Sequence, residues 1–98
     1  MTEQEATYDG LIALSARLVE AREFASARRL AERAIASDRS RPEAYNLLGV
    51  LEEVAGRRLE AQRLYRIALE LRPGYEAAGH NLHRSVQPPG GGRSRMRW

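Results

Sequence analysis

The chain has no cysteine, no lysine, one phenylalanine and one tryptophan among 98 residues. Without cysteine, disulfides and thiolate metal sites are excluded and the redox compartment stays open. All sixteen basic residues are arginine, beside fifteen alanines. That pairing fits a GC-rich coding background better than selection for guanidinium chemistry. The opening MTEQEATYDG has neither a basic nor an apolar signal region, and no stretch approaches 18 apolar residues. The expectation is a soluble, cytoplasmic protein. Catalytic signatures are missing too. There is no glycine-rich phosphate loop, no nucleophilic serine motif and no pair of carboxylates in a plausible cleft. Ser15, Ser26, Ser37 and Ser40 read as packing, loop or cap residues, so neither an enzyme nor a cofactor is expected.

The formal charge is +3, and it is unevenly placed. Residues 1–41 hold seven Arg and seven acids, residues 42–86 six of each, and Arg93, Arg95 and Arg97 supply the remainder. The basicity therefore belongs to the C-terminal tail and not to the folded part. Arg28, Arg29, Arg57, Arg58, Arg63 and Arg66 are balanced by Glu32, Glu60 and Glu70 at helix-surface spacings and read as solvated faces.

Six residues recur at a fixed offset. Leu14, Ala21, Ala27, Arg29, Leu30 and Ala34 are matched 34 positions later by Leu48, Ala55, Ala61, Arg63, Leu64 and Ala68. A period of that length marks a stacked helical repeat. The apolar spacing predicts helix one up to about Arg22, opened by a Thr2–Glu5 capping box and carrying Leu11, Leu14 and Leu18. Helix two should span about Phe24–Ser37 and bury Ala27, Leu30, Ala31 and Ala34, with Arg28, Glu32 and Arg33 facing water. A second capping box, Ser40 with Glu43, and Pro42 in the first turn predict helix three to about Ala55, with Tyr45, Leu48, Gly49 and Leu51 inward and Gly56 as terminator. Helix four should cover about Leu59–Leu71 before Pro73 and Gly74, using Ala61, Leu64, Tyr65, Ala68 and Leu71. A closing helix over about 75–86 keeps Ala78 and Leu82 inward and shows Glu76, His80, Asn81, His83 and Arg84 as a polar outer face. The remaining QPPGGGRSRMRW should be disordered when alone.

Tyr45, Leu48, Gly49, Gly56, Ala61, Tyr65, Ala68 and Pro73 together resemble the tetratricopeptide repeat over residues 42–75. Residues 8–41 look like a weaker copy through Leu11, Leu14, Ser15, Leu18, Phe24, Ala27 and Ala34, with Ala31 where a bulky aromatic is usual and Arg39 in place of the terminal proline. Glu52 stands where the family often has tyrosine. The resemblance implies an all-α fold of antiparallel helix-turn-helix repeats, residues 1–86 forming one domain and 87–98 a basic tail. Two units and a closing helix leave apolar faces short of neighbours, so self-association or docking is expected.

In this family the first helix of each pair lines a concave groove. The matching positions are Asp9, Ile12, Ala16 and Val19, then Glu43, Asn46, Val50 and Glu53, then Ala77, His80 and Arg84. The family's Lys and Asn set for gripping a peptide carboxylate is missing, which disfavours that clamp. A strip of Ile12, Val19 and Val50 flanked by acids remains, suited to an amphipathic or basic helical segment of a partner protein. Tyr8, Ile12 and Val19 also widen the apolar arc of helix one beyond what one neighbour buries, which leaves an exposed face for a partner or for self-association, or else Ile12 and Val19 bordering the groove or resting on the N-terminal segment.

Two further clusters complete the reading. Glu76, His80 and His83 have helical metal-site spacing but no fourth ligand nearby, and a solvated cap is the expected reading. In the tail, Arg93, Arg95, Arg97 and Trp98 form a candidate secondary anchor. Three arginines bind nucleic acid only weakly, so nucleic acid is not the expected partner. The expectation is a non-catalytic adaptor, subunit or chaperone-like assembly factor; the competing one is an accessory contacting RNA or an anionic membrane through the tail.

Overall fold

Thr7 has extended backbone, and its hydroxyl accepts the Gly10 amide at 3.1 Å, which satisfies a first-turn donor and starts α1 (Tyr8–Glu20). The computed structural model describes residues 7–87 and 95–98; the Thr2–Glu5 box lies outside them, and Thr7 supplies the cap. Four more helices follow: α2 (Phe24–Ser37), α3 (Glu43–Val54), α4 (Arg58–Leu71) and α5 (Glu76–Ser85). The result is an all-α helix-turn-helix repeat. α1 packs on α2 and α3 on α4, while α1, α3 and α5 form an inner layer in which α3 touches both others.

The two hairpins turn by the same device. After α1 the Glu23 amide reaches Leu18 O at 2.8 Å and the Arg22 amide reaches Val19 O at 3.0 Å; after α3 the Arg57 amide reaches Glu52 O at 2.8 Å and the Gly56 amide reaches Glu53 O at 3.0 Å. Both are Schellman closures, which need a left-handed residue just past the helix. Gly56 meets that need with φ 84°, but its equivalent 34 residues earlier is Arg22, at φ 62°.

The entry to α3 departs from expectation. Ser40 does not cap it: its amide and hydroxyl both bond Asp38, at 2.9 and 2.6 Å. Instead the Tyr8 phenol oxygen accepts the Ala44 amide at 3.1 Å and donates to Glu43 Oε1 at 3.2 Å. Arg41 lies over the Tyr8 ring, 4.2 Å from its centroid, and reaches Asp9 at 2.7 Å. Burial, with Glu43 beside it, pushes the Tyr8 phenol up to about 12, so it remains a donor across the working pH range.

α3 is the central element and is buried along nearly its whole length, Ala44 and Asn46 to Glu52. Tyr45 is only partly covered. The expected inner residues of α2 are buried, whereas on α4 Leu71 is exposed and Gln62 is buried. Gly49 lets Tyr65 of α4 lie flat on the backbone of α3: a Cβ at position 49 would stand 2.6 Å from Tyr65 Cδ1. Glu52, where an aromatic was expected by resemblance, is buried and joins the repeats electrostatically, with Arg28 of α2 at 2.7 Å and Arg57 also bonded. Arg28, read as solvated, thus has a structural partner. The Arg57 and Arg28 hydrogen bonds hold the Glu52 carboxyl below its ordinary value.

Three expectations follow. Arg22→Gly should raise stability by about 1 kcal/mol by removing a left-handed side chain, and Gly56→Arg should lower it by a similar amount; melting shifts of the same sign would refute the equivalence. Gly49→Ala should cost about 1–2 kcal/mol in urea unfolding, overpacking outweighing the gain in helix propensity. Glu52→Gln should cost about 1–2 kcal/mol at pH 7, the modest figure reflecting partly solvated arginines. Because the carboxyl is depressed in the folded state, this cost should be constant at neutral pH and vanish as pH falls below 4.5 through the folded value. A difference that persists in acid would refute it.

Candidate peptide groove

Positions 46, 50 and 53 follow one another at four and three residues on α3, and 77, 80, 81 and 84 do the same on α5, so each set shares one helix face. The two faces meet beside α1. Along them lies the segment Arg95–Trp98, which has neither helix nor strand. Its position is set by a polar network. Asn46 Nδ2 donates to Arg97 O at 2.9 Å, Asn81 Nδ2 donates to the same oxygen, and the Arg97 amide donates to Asn81 Oδ1 at 2.7 Å. Asn81 therefore reads both backbone groups of one residue, as a neighbouring strand would. Asn81 Nδ2 also donates to Asn46 Oδ1 at 2.9 Å, which orients the two amides mutually. Two residues earlier, His80 Nε2 donates to Arg95 O at 2.7 Å.

Side chains of the segment alternate. Met96 packs on the core cluster of Val19, Val50 and Leu47, while the Arg95 and Arg97 side chains are exposed. Trp98, 40 % exposed, borders two clefts. One of about 320 Å³ runs between the segment and Val19, Phe24, Val50 and Val54. Another of about 520 Å³ lies among Glu20, Tyr75, Glu76, Ala77 and Arg97, so that two acidic residues and the basic segment line the same cleft. With the segment in place Asn46, Val50 and Asn81 have no exposed surface. Burying such amides is costly unless every polar atom is paired, and here the segment's backbone does the pairing.

The structure brings together only part of the expected groove. Asn46, Val50 and His80 line it, and Ile12 and Ala16 are half-buried against the core beside it. Val19 is buried, so it belongs to the core as much as to the groove. Asp9 and Glu43 are engaged in the Tyr8–Arg41 clasp, Glu43 also meeting Arg72 at 3.6 Å. Glu53 bonds Arg84 and accepts the Tyr65 hydroxyl at 2.7 Å, which ties α3, α4 and α5 together. Burial, and Glu53 next, pushes the Tyr65 phenol well above its ordinary value. These acids are spent on the fold and do not flank a free strip.

The surplus arc of helix one is likewise consumed, Tyr8 by the start of α3 and Val19 under the segment. Asn81, read as part of a polar outer face, is fully buried and makes more bonds to the segment than any other side chain. Its signal was an amide in line with Ala78 and Ser85, both of which are buried. Met96 was missed because nothing in a tail sequence says which surface it meets. Arg93 lies outside the described residues. His80 turns to the segment and His83 to Gln87, at 3.2 Å, so the two imidazoles have separate partners. Among the described residues no three His, Cys, Asp or Glu side chains are grouped to hold a metal ion. No described helix is long and apolar enough to cross a membrane.

Comparison with protein families finds no family model that matches the chain, and comparison with curated proteins finds no match.

Proposed function

We propose that this chain is a non-catalytic interaction module of the tetratricopeptide kind, which takes an extended segment of a partner protein in the groove of α1, α3 and α5. The reading rests chiefly on the segment Arg95–Trp98, which lies there in extended form with its backbone bonded to Asn46, Asn81 and His80. Side-chain amides that pair with a peptide's main chain can hold it extended, in place of the sheet edge that does so in strand addition. The acids Glu20 and Glu76 at the cleft favour a basic segment over an acidic one. An extended occupant replaces the helical one that the apolar strip suggested. In a cell such a module serves as an adaptor, a subunit or an assembly factor of a larger complex.

Selection from a random peptide library on the immobilised full chain tests this. Enriched peptides should bind at micromolar dissociation constants, and Ala77→Arg, which fills the cleft, should weaken them at least about tenfold, a loss of about 1.4 kcal/mol. His80→Ala should weaken them by a smaller factor, near the worth of one hydrogen bond. Enriched peptides indifferent to both substitutions, or no enrichment at all, would remove the groove as the binding site.

A further inference from the structure

We infer that residues 95–98 are the resident ligand of the groove, and that a partner must displace them with a segment of the same chemistry: extended, apolar at two alternate positions, and basic or neutral between. This deepens the proposed function and rests on the groove being a peptide site. The alternation is explicit in the segment. Met96 is set on Val19 and Val50, and Trp98 borders the cleft that continues to Phe24 and Val54, whereas the intervening Arg97 contributes its backbone. Its guanidinium is exposed, so the groove reads position 97 through N–H and C=O and not through side-chain identity. The specificity lies in the two apolar positions.

The connection from α5 to the segment is short, residues 86–94. A ligand on a short tether competes at an effective concentration on the order of millimolar. If the segment's own intrinsic dissociation constant for the groove is about 100 μM, any competing peptide should bind the occupied groove about tenfold more weakly than the empty one.

Arg97→Pro provides the specific perturbation. Proline keeps an extended backbone but removes the N–H that Asn81 accepts, and it changes no residue of the helices. Arg97→Ala keeps the backbone and removes only the exposed side chain. Trp98 is the only tryptophan of the chain, so its fluorescence reports the segment directly. In the full chain its emission should be partly blue-shifted and partly shielded from acrylamide relative to a free peptide of residues 91–98; Arg97→Ala should preserve this and Arg97→Pro should abolish it, with unchanged helical circular dichroism. A fluorescein-labelled peptide of residues 91–98 should then bind the Arg97→Pro chain about tenfold more tightly than the wild type by anisotropy. A peptide with Met96 and Trp98 replaced by Ser should bind neither.

Solvent-like Trp98 emission in the wild type, or equal peptide affinity for the wild type and Arg97→Pro, would overturn the inference. So would emission that reverts on dilution, which would place the segment on a second copy. If library peptides bind in an Ala77-sensitive way while the 91–98 peptide does not, the inference fails and the peptide groove stands. If neither binds, both fall.

Discussion

The contact of Tyr65 with the bare backbone of Gly49 sets the separation of α3 and α4, and the groove inherits its geometry from that contact. Seated there, the Tyr65 ring is fully buried and its hydroxyl reaches Glu53, one turn beyond Gly49 on the same helix. Glu53 in turn holds Arg84 of α5. α5 is thereby positioned so that Asn81, three residues before Arg84, meets Asn46 on α3. A larger residue at 49 would push the ring outward and loosen each later link, because packed interiors transmit displacement instead of absorbing it. The chain from a missing Cβ to a backbone hydrogen bond at Arg97 passes through five residues and three helices.

Six polar residues, Ser15, Asn46, Glu52, Gln62, Asn81 and Ser85, are buried in the interior, and several of its polar side chains are paired in ways that specify neighbours. Ser15 donates to Ala27 O at 2.9 Å and locks α1 on α2; Gln62 donates to Ser85 O at 3.0 Å and locks α4 on the end of α5. Glu52 links the two repeats, and the Tyr8 phenol closes α1 over the start of α3. Each bond is worth about 1 kcal/mol net, but leaving its buried partner unpaired costs more, so a slipped arrangement is penalised beyond the contacts it loses. Alanine-rich helices such as α2 have little side-chain shape with which to define register. The hydrogen bonds supply what small apolar residues do not.

Helix positions and the paired layering were legible because the apolar spacing repeats: α2 matches its expected span, α1 starts about five residues later than a Thr2 cap would place it, and the other boundaries shift by one or two residues. Helix caps were less legible, since a side chain distant in sequence can perform them. Ser40 has the right type and spacing, yet the Tyr8 hydroxyl, 36 residues from Ala44, takes the amide. Within the groove, Asn46 and Val50 followed from register. Asn81 did not, because it lies 35 and not 34 residues from Asn46 and looked like part of a solvated cap. The role of the last four residues was illegible for a physical reason. Their binding uses main-chain groups common to every residue, and only the folded face decides which backbone is accepted.

Two repeats and a closing helix leave one inner face short of a neighbour, and the chain meets that shortage from within. Met96 extends the core cluster that includes Val19 and Val50, and the backbone of Arg97 completes the bonding of two amides that otherwise bond only each other. On the proposed function the same surface would contribute to stability when the chain is alone and to recognition when a partner arrives. Displacement of the segment exposes apolar area and unpairs amides unless the incoming strand restores both, so exchange between similar strands is close to balanced in free energy. A strand lacking the alternate apolar residues restores the hydrogen bonds but not the burial. Selectivity of the proposed groove would then follow from the cost of vacating it as much as from attraction to the newcomer.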